Sequence, residues 1–216
     1  MKYQNVFKRY ELKYLITRDQ QKLLLGVMND YMEPDQFGRS TICNIYFDTP
    51  NKILIRRSNE KPLYKEKLRI RSYGIATSET TVFVELKKKY NSVVYKRRIS
   101  LVEAEAMNYL IDGIHPPIEG QITNEIDYFF KFYQSLEPSL FMSYERKAFF
   151  SKNDSNFRMT FDENILCRDY DLNLKAGTYG SSLLADDMVL LEIKTSMGIP
   201  LWLTNFLSEN KLYRRE

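Results

Sequence analysis

The sequence predicts an α+β fold, an antiparallel sheet of about eight strands with helices packed on the outside. Three features lead to it. Hydrophobic and polar residues alternate at period two in one segment after another, capped helical patterns interrupt them at irregular intervals, and turn residues separate the strands. The regular strand-helix alternation of a parallel doubly wound sheet is not what this order gives.

Tyr10-Glu11-Leu12-Lys13-Tyr14, Lys67-Leu68-Arg69-Ile70-Arg71 and Val82-Phe83-Val84-Glu85-Leu86-Lys87 carry the alternation most clearly. Further strands are expected at Ile42 to Asp48, Val93 to Ile99, Leu140 to Phe149, Phe157 to Asp162 and Val189 to Lys194. Tyr73-Gly74, Tyr90-Asn91-Ser92, Lys152 to Asn156 and Asp186-Asp187 read as turns. Thr17 with Gln20 forms a capping-box pattern ahead of an apolar stripe of Leu23, Leu24, Val27, Met28 and Tyr31. Ser100 with Glu103 repeats the pattern before Met107, Leu110 and Ile111, and Gly113 is placed to end that helix. A third helix is expected over Asn124 to Gln134, and short ones begin at Thr49-Pro50 and at Pro200, since proline suits a first helical turn. Trp202, Phe206 and Leu207 form the packing stripe of the last.

With 216 residues, 44% of them hydrophobic, the chain is long enough for one domain with a substantial core. Residues Met1 to Arg9 run straight into charge and no apolar stretch reaches membrane-spanning length, so a cytoplasmic protein without a signal peptide is expected. Cys43 and Cys167 read as buried free thiols, and His115, the single histidine, stands before Pro116-Pro117 in a turn. Histidine triads and multi-histidine metal clusters are thereby excluded. The eight glycines form neither a P-loop nor a dinucleotide fingerprint, so any phosphate must be held by side chains. The net charge of +4 is modest, and a strongly cationic region has to come from placement.

Strand parity supplies that placement, because successive side chains point to opposite faces. One face collects Tyr10, Leu12, Tyr14, Leu68, Ile70, Val82, Val84, Leu86, Met159, Phe161, Leu191 and Ile193. The other collects Arg9, Glu11, Lys13, Lys67, Arg69, Arg71, Glu85, Lys87, Lys96, Arg98, Tyr144, Arg146, Arg158, Thr160, Asp162, Glu192 and Lys194. A sheet with its second face in water is the default for such alternation, but it predicts threonine, serine and glutamine among mixed charges. Here six strands put Lys, Arg or Glu at nearly every position. If such a sheet closed into a barrel, its inward cations would need a polyanion or water, since bare charge is costly to desolvate. Phosphate fits: arginine grips its oxygens bidentately and lysine as a point charge. Glu11, Glu85 and Glu192 suit Mg²⁺ or Mn²⁺ bridging phosphates better than phosphate itself. A basic sheet for single-stranded nucleic acid is disfavoured, as no stacking aromatics are interleaved on the charged face.

Phe7 to Ile16, Asn44 to Thr49, Leu68 to Gly74, Phe83 to Lys89, Tyr144-Glu145-Arg146 and Leu191 to Lys194, in this order, resemble the VTC (vacuolar transporter chaperone) domain. That domain belongs to the triphosphate tunnel metalloenzymes, the CYTH-like superfamily. The resemblance implies a single domain over residues 1–216 forming a closed antiparallel β-barrel, a tunnel of about eight strands. It implies a polyphosphate polymerase-like phosphotransferase that moves the ATP γ-phosphate onto a polyphosphate chain with Mn²⁺ or Mg²⁺. Lys13, Arg69, Arg71, Lys87, Arg146 and Lys194 are the catalytic cations by this resemblance, and Lys67, Arg98, Tyr144 and Arg158 bind further phosphate. Glu192 is the principal metal ligand, with Glu11 and Glu85 beside it. Arg9 stands where the superfamily's Glu-x-Glu-x-Lys signature has its first acid, which argues against the hydrolases and cyclases. The chain stops at Tyr213-Arg214-Arg215-Glu216 where VTC domains carry a Ser-x-Ser-Lys-Tyr-like segment, so either the C-terminus is shortened or the tunnel lacks one wall contact. Partners expected are ATP or another triphosphate and inorganic polyphosphate, with no nucleic acid; a membrane partner protein is left open. A tripolyphosphate or nucleoside triphosphate hydrolase and a non-catalytic polyphosphate sensor are the alternatives.

Overall fold

The structure, a computed structural model, describes residues 6–7, 10–91 and 93–215. Arg9 and Ser92, to which the sequence assigned a face and a turn position, lie outside the described residues. The strands are β1 (Val6–Phe7), β2 (Tyr10–Thr17), β3 (Met32–Asp48), β4 (Tyr64–Tyr73), β5 (Thr81–Tyr90), β6 (Val93–Val102), β7 (Glu137–Ser151), β8 (Arg158–Arg168), β9 (Ser181–Ser182), β10 (Met188–Thr195) and β11 (Arg214–Arg215). Among the described residues five helices accompany them: α1 (Arg18–Met28), α2 (Ile53–Asn59), α3 (Glu103–Asp112), α4 (Gln121–Tyr133) and α5 (Leu201–Glu209). No helix among the described residues is long and apolar enough to cross a membrane.

The chain divides into two compact units. The first gathers β1, residues Ile42–Ser143 and Leu166–Ser181. Its ladder runs β1-β6-β5-β4-β3, and the described pairs are antiparallel. Register follows the parity of the sequence: Ile45 faces Ile70, Ile70 faces Val84, and Val84 faces Ile99, one apolar row across four strands. Ala106, Tyr109 and Leu110 of α3 and Ile126 and Phe129 of α4 are buried in the same core. Burying such a row is the main stabilising term, at about 25 cal/mol per Å² of apolar surface.

In the second unit, the described parts of 8–41, 144–165 and 182–216, β10 lies between β2 and β8. Tyr14, Leu191 and Phe161 share one row. Leu24 and Met28 of α1 and Leu203, Phe206 and Leu207 of α5 pack against that face, with Trp202 stacked on Tyr31 at 4.8 Å.

Several local expectations hold and several do not. The Thr17 capping box is formed: the Gln20 N–H donates to Thr17 Oγ1 at 3.2 Å and the Thr17 N–H to Gln20 Oε1 at 2.9 Å. Only part of the α1 stripe is buried, because Leu23 and Val27 are exposed while Gln21 takes a core position. Ser100 is not a cap. It pairs with Phe83 in the β5-β6 ladder, and α3 starts three residues later, at Glu103, with Val102 before it and no side-chain cap, so strand pairing outcompetes the local motif. Near Pro50 the helix starts at Ile53, where the buried Asp48 carboxylate accepts the N–H groups of Leu54 and Ile55. Cys43 is buried but Cys167 only partly so. β3 begins ten residues before its expected start, in a stretch whose Pro34 and Gly38 hide a strand from propensity. Among the described residues the strand pairs establish an antiparallel sheet; they do not by themselves establish the closed barrel.

Loop 169–180 of the first unit is organised by Arg168, which ends β8. Its guanidinium donates to the carbonyls of Asp171, Asn173, Gly177 and Tyr179 at 2.9–3.2 Å and lies 3.6 Å from the Phe141 ring centroid. Gly180 has φ +144°, and any Cβ there would run into the Cys167 carbonyl, so the loop closes only on glycine.

Candidate functional site

In the first unit the polar face is a set of cross-strand rungs. One rung reads Tyr46, Arg69, Glu85, Arg98 across β3 to β6. The next sets Lys67, Lys87 and Lys96 side by side, and on the other flank Asn44 stands opposite Arg71. The outer rung pairs Lys65 with Lys89. Like charges directly opposite one another destabilise a sheet. Such rows are tolerable where anions lie over them.

Glu85 organises the middle rung. Arg69 reaches its Oε2 through Nε at 2.8 Å and Nη2 at 2.6 Å. Arg98 reaches its Oε1 through Nε at 2.8 Å and Nη2 at 2.6 Å, and Lys96 Nζ joins the same oxygen at 2.6 Å. The carboxylate is almost fully buried, which alone would raise its pKa, but Arg69, Arg71 and Lys96 outweigh burial and hold it far below the usual range. Lys96 responds in kind: burial lowers its ammonium to about 8, with Glu85 opposing the fall. Arg71, itself buried, donates from Nε to Asn44 Oδ1 at 2.9 Å, and the Asn44 amide donates to the Met142 carbonyl. Arg98 also lies 4.1 Å from the Phe83 ring centroid, so these guanidiniums are fixed in direction as well as charge.

The second unit carries a separate cluster. Arg146 donates to both oxygens of Asp162 at 2.6 Å, a bidentate pair, and its Nη2 stands 3.8 Å from Glu192 Oε2. Lys194 approaches the same Glu192 oxygen at 3.0 Å, and Lys13 faces Glu192 across the β2-β10 ladder. Burial would raise the Glu192 carboxyl, yet Lys194, Lys13 and Arg146 bring it down to about 2. Arg146 also lies 5.0 Å from the Tyr144 ring centroid. Arg158 stands 3.4 Å from Asp35 and Glu11 faces Lys194. Thr160, opposite Glu192, is buried, and its hydroxyl finds no hydrogen-bond partner among the described residues.

Sequence parity therefore brings Lys67, Arg69, Arg71, Glu85, Lys87 and Arg98 onto one face of the first unit. Glu11, Lys13, Tyr144, Arg146, Arg158, Glu192 and Lys194 belong to the second unit. Tyr46, Asn44 and Lys65 were missed, since a phenol, an amide and a lysine at a strand start carry no signal by themselves. Lys88 and Arg97 point the other way, where both meet Glu125 of α4 at 3.3 Å.

Among the described residues no group of three or more His, Cys, Asp or Glu is arranged to hold a metal ion. Each Glu85 oxygen is engaged by cations. Glu192 uses a single oxygen, Oε2, for Lys194 and Arg146. A hard cation such as Mg²⁺ takes one or two carboxylates and completes its shell with phosphate oxygens and water.

A family model for the VTC domain matches residues 8–216. The chain belongs to the VTC-domain family. No curated protein sequence gives a significant match. Among solved structures, this VTC domain is similar to a putative adenylate cyclase from Bacillus halodurans, at 15% identity and a TM-score of 0.61 over 99% of this chain and 95% of that one. It is similar too to a putative adenylyl cyclase from Hippeastrum described as having a dominant triphosphatase activity. That pair shares 14% identity, with a TM-score of 0.50 over 94% of this VTC domain and 88% of that chain. Both likenesses are of fold.

Proposed function

We propose that this VTC domain handles triphosphates, and that its reaction is polyphosphate synthesis: the γ-phosphoryl group of ATP is moved onto a polyphosphate chain. The observation that carries the reading is the stack of cationic rungs on the first unit, above all Lys67, Lys87 and Lys96 in one row beside a middle rung preorganised by Glu85. A ligand with a charge at every step matches a ladder with a cation at every rung.

Phosphoryl transfer asks for alignment and charge neutralisation more than for covalent help. In this reading Arg69, Arg71 and Lys87 hold phosphate oxygens in the first unit, with Lys67 and Arg98 extending the grip. Lys13, Arg146, Lys194, Tyr144 and Arg158 do the same in the second. Glu85 and Asp162 fix the guanidinium forks before the ligand arrives, so little reorganisation accompanies the step. Glu192 and Glu11 would hold Mn²⁺ or Mg²⁺, which would supply neutralisation of phosphate charge. The closed tunnel expected from the family resemblance belongs to this proposal, as an enclosure that keeps water from the transferred group.

The test is incubation of the protein with ATP and Mn²⁺ or Mg²⁺, followed by ³¹P NMR. Internal phosphate resonances that grow with time are expected, and Arg69→Ala with Arg71→Ala should lower the rate by at least about a hundredfold. Inorganic phosphate without polymer would replace the synthesis reading with hydrolysis. Tight tripolyphosphate binding without turnover, across metals and primers, would leave a polyphosphate sensor.

A further inference from the structure

Tyr46 lies on β3 directly opposite Arg69, on the polar face of the first unit, while its neighbours Ile45 and Phe47 are buried in the core behind it. Arg69 Nη1 donates to the Tyr46 hydroxyl oxygen at 3.0 Å. Among the described residues this is the only hydrogen bond the hydroxyl makes. Its oxygen is thus engaged as an acceptor, and among the described residues its proton meets no acceptor.

The charges acting on that hydroxyl are Arg69, Arg71 and Lys67. Guanidinium and ammonium groups can only donate. The nearby carboxylate, Glu85, is occupied by Arg69, Arg98 and Lys96, and the Asn44 carbonyl oxygen receives Arg71. A neutral O–H set among cations, beside acceptors that are already engaged, is complementary to a ligand made of acceptors.

We propose that the Tyr46 hydroxyl donates a hydrogen bond to a non-bridging oxygen of the bound phosphate chain, making Tyr46 a substrate-contacting residue of this face. The inference rests on the phosphate-handling function proposed above and adds to it a neutral donor. The electrostatics agree. Burial alone would push the phenol up, but Arg69, Arg71 and Lys67 outweigh it and leave it below the ordinary tyrosine value. A more acidic hydroxyl is a stronger donor to an anion. The same three cations also discourage the hydroxyl from turning back on the protein, since none can accept.

The experiment is calorimetric titration of tripolyphosphate into the wild-type protein and into Tyr46→Phe, which keeps the ring and removes only the hydroxyl. A hydrogen bond to a charged group predicts roughly ten- to a hundredfold weaker binding by the variant. Thermal melts without ligand should coincide for the two proteins, because Glu85 still holds Arg69. The ³¹P resonances of bound tripolyphosphate should shift between them, a signature that a purely structural role would not give. Equal affinities would overturn the inference and leave the phosphate-binding function standing. A ligand-free variant that melts well below wild type would overturn it too, by assigning Tyr46 to the fold. Failure of the wild-type protein to bind tripolyphosphate would overturn both.

Discussion

Replacing Glu85 with glutamine removes one charge from the middle of the first unit's polar face and leaves the shape almost unchanged. The wild-type carboxylate is 1% exposed and accepts five contacts of 2.6–2.8 Å from Arg69, Arg98 and Lys96. In Glu85→Gln the amide nitrogen turns two donors toward groups that are themselves donors, and three cations lose their shared counter-charge. Breaking a buried pair by removing one partner costs about 3–5 kcal/mol. For a chain of this size each kcal/mol moves the melting temperature by about 2–4 °C, so ligand-free Glu85→Gln should melt roughly 10 °C below wild type. Saturating tripolyphosphate should narrow that gap, since phosphate replaces the lost anion for the same cations, and the added stability follows by mass action. Differential scanning fluorimetry with and without tripolyphosphate, in the absence of divalent metal, measures both quantities. A ligand-free loss below about 1 kcal/mol, the level of a solvated surface ion pair, would refute the reasoning. So would a loss that appears only when Mn²⁺ is present, which would make Glu85 a metal ligand and not a clasp.

Glu192 predicts a pH signature. Its folded carboxyl titrates near 2, below the ordinary 4.5, so its stabilisation is complete above pH about 4.5 and disappears as pH falls to about 2. Roughly 3 kcal/mol is at stake, and chemical denaturation of wild type and Glu192→Gln should show curves that converge over this window; a constant offset would show that the charge is not what stabilises. In the first unit, Arg168→Met should strand the carbonyls of Asp171, Asn173, Gly177 and Tyr179. A loss of about 3–5 kcal/mol is expected, with faster proteolysis inside residues 169–180, and wild-type cleavage kinetics would count against the loop-organising role.

The alternation of Lys67 to Arg71 and Val82 to Lys87 placed these residues on their faces correctly, because the side-chain period of a strand is fixed by its own backbone. Thr17 and Gln20 announced their cap for the same reason: both partners lie within one turn. Ser100 and Glu103 carried an equally good local signal and lost it to pairing with β5, a partner some seventeen residues away in sequence. Leu23 and Val27 were placed in the core by spacing, yet what packs on α1 leaves them in water.

The candidate site divides along the same line. Which residues are cationic, which face they take and which family the chain resembles were all present in the one-dimensional order. Which oxygen each cation holds was not: that Glu85 gathers Arg69, Lys96 and Arg98, that Asp162 locks Arg146, and that Arg69 donates to the Tyr46 hydroxyl all depend on strand neighbours set by long-range pairing. Parity is a property of covalent geometry and travels with the sequence. Partner choice is decided by which strands lie side by side, and only tertiary structure sets that.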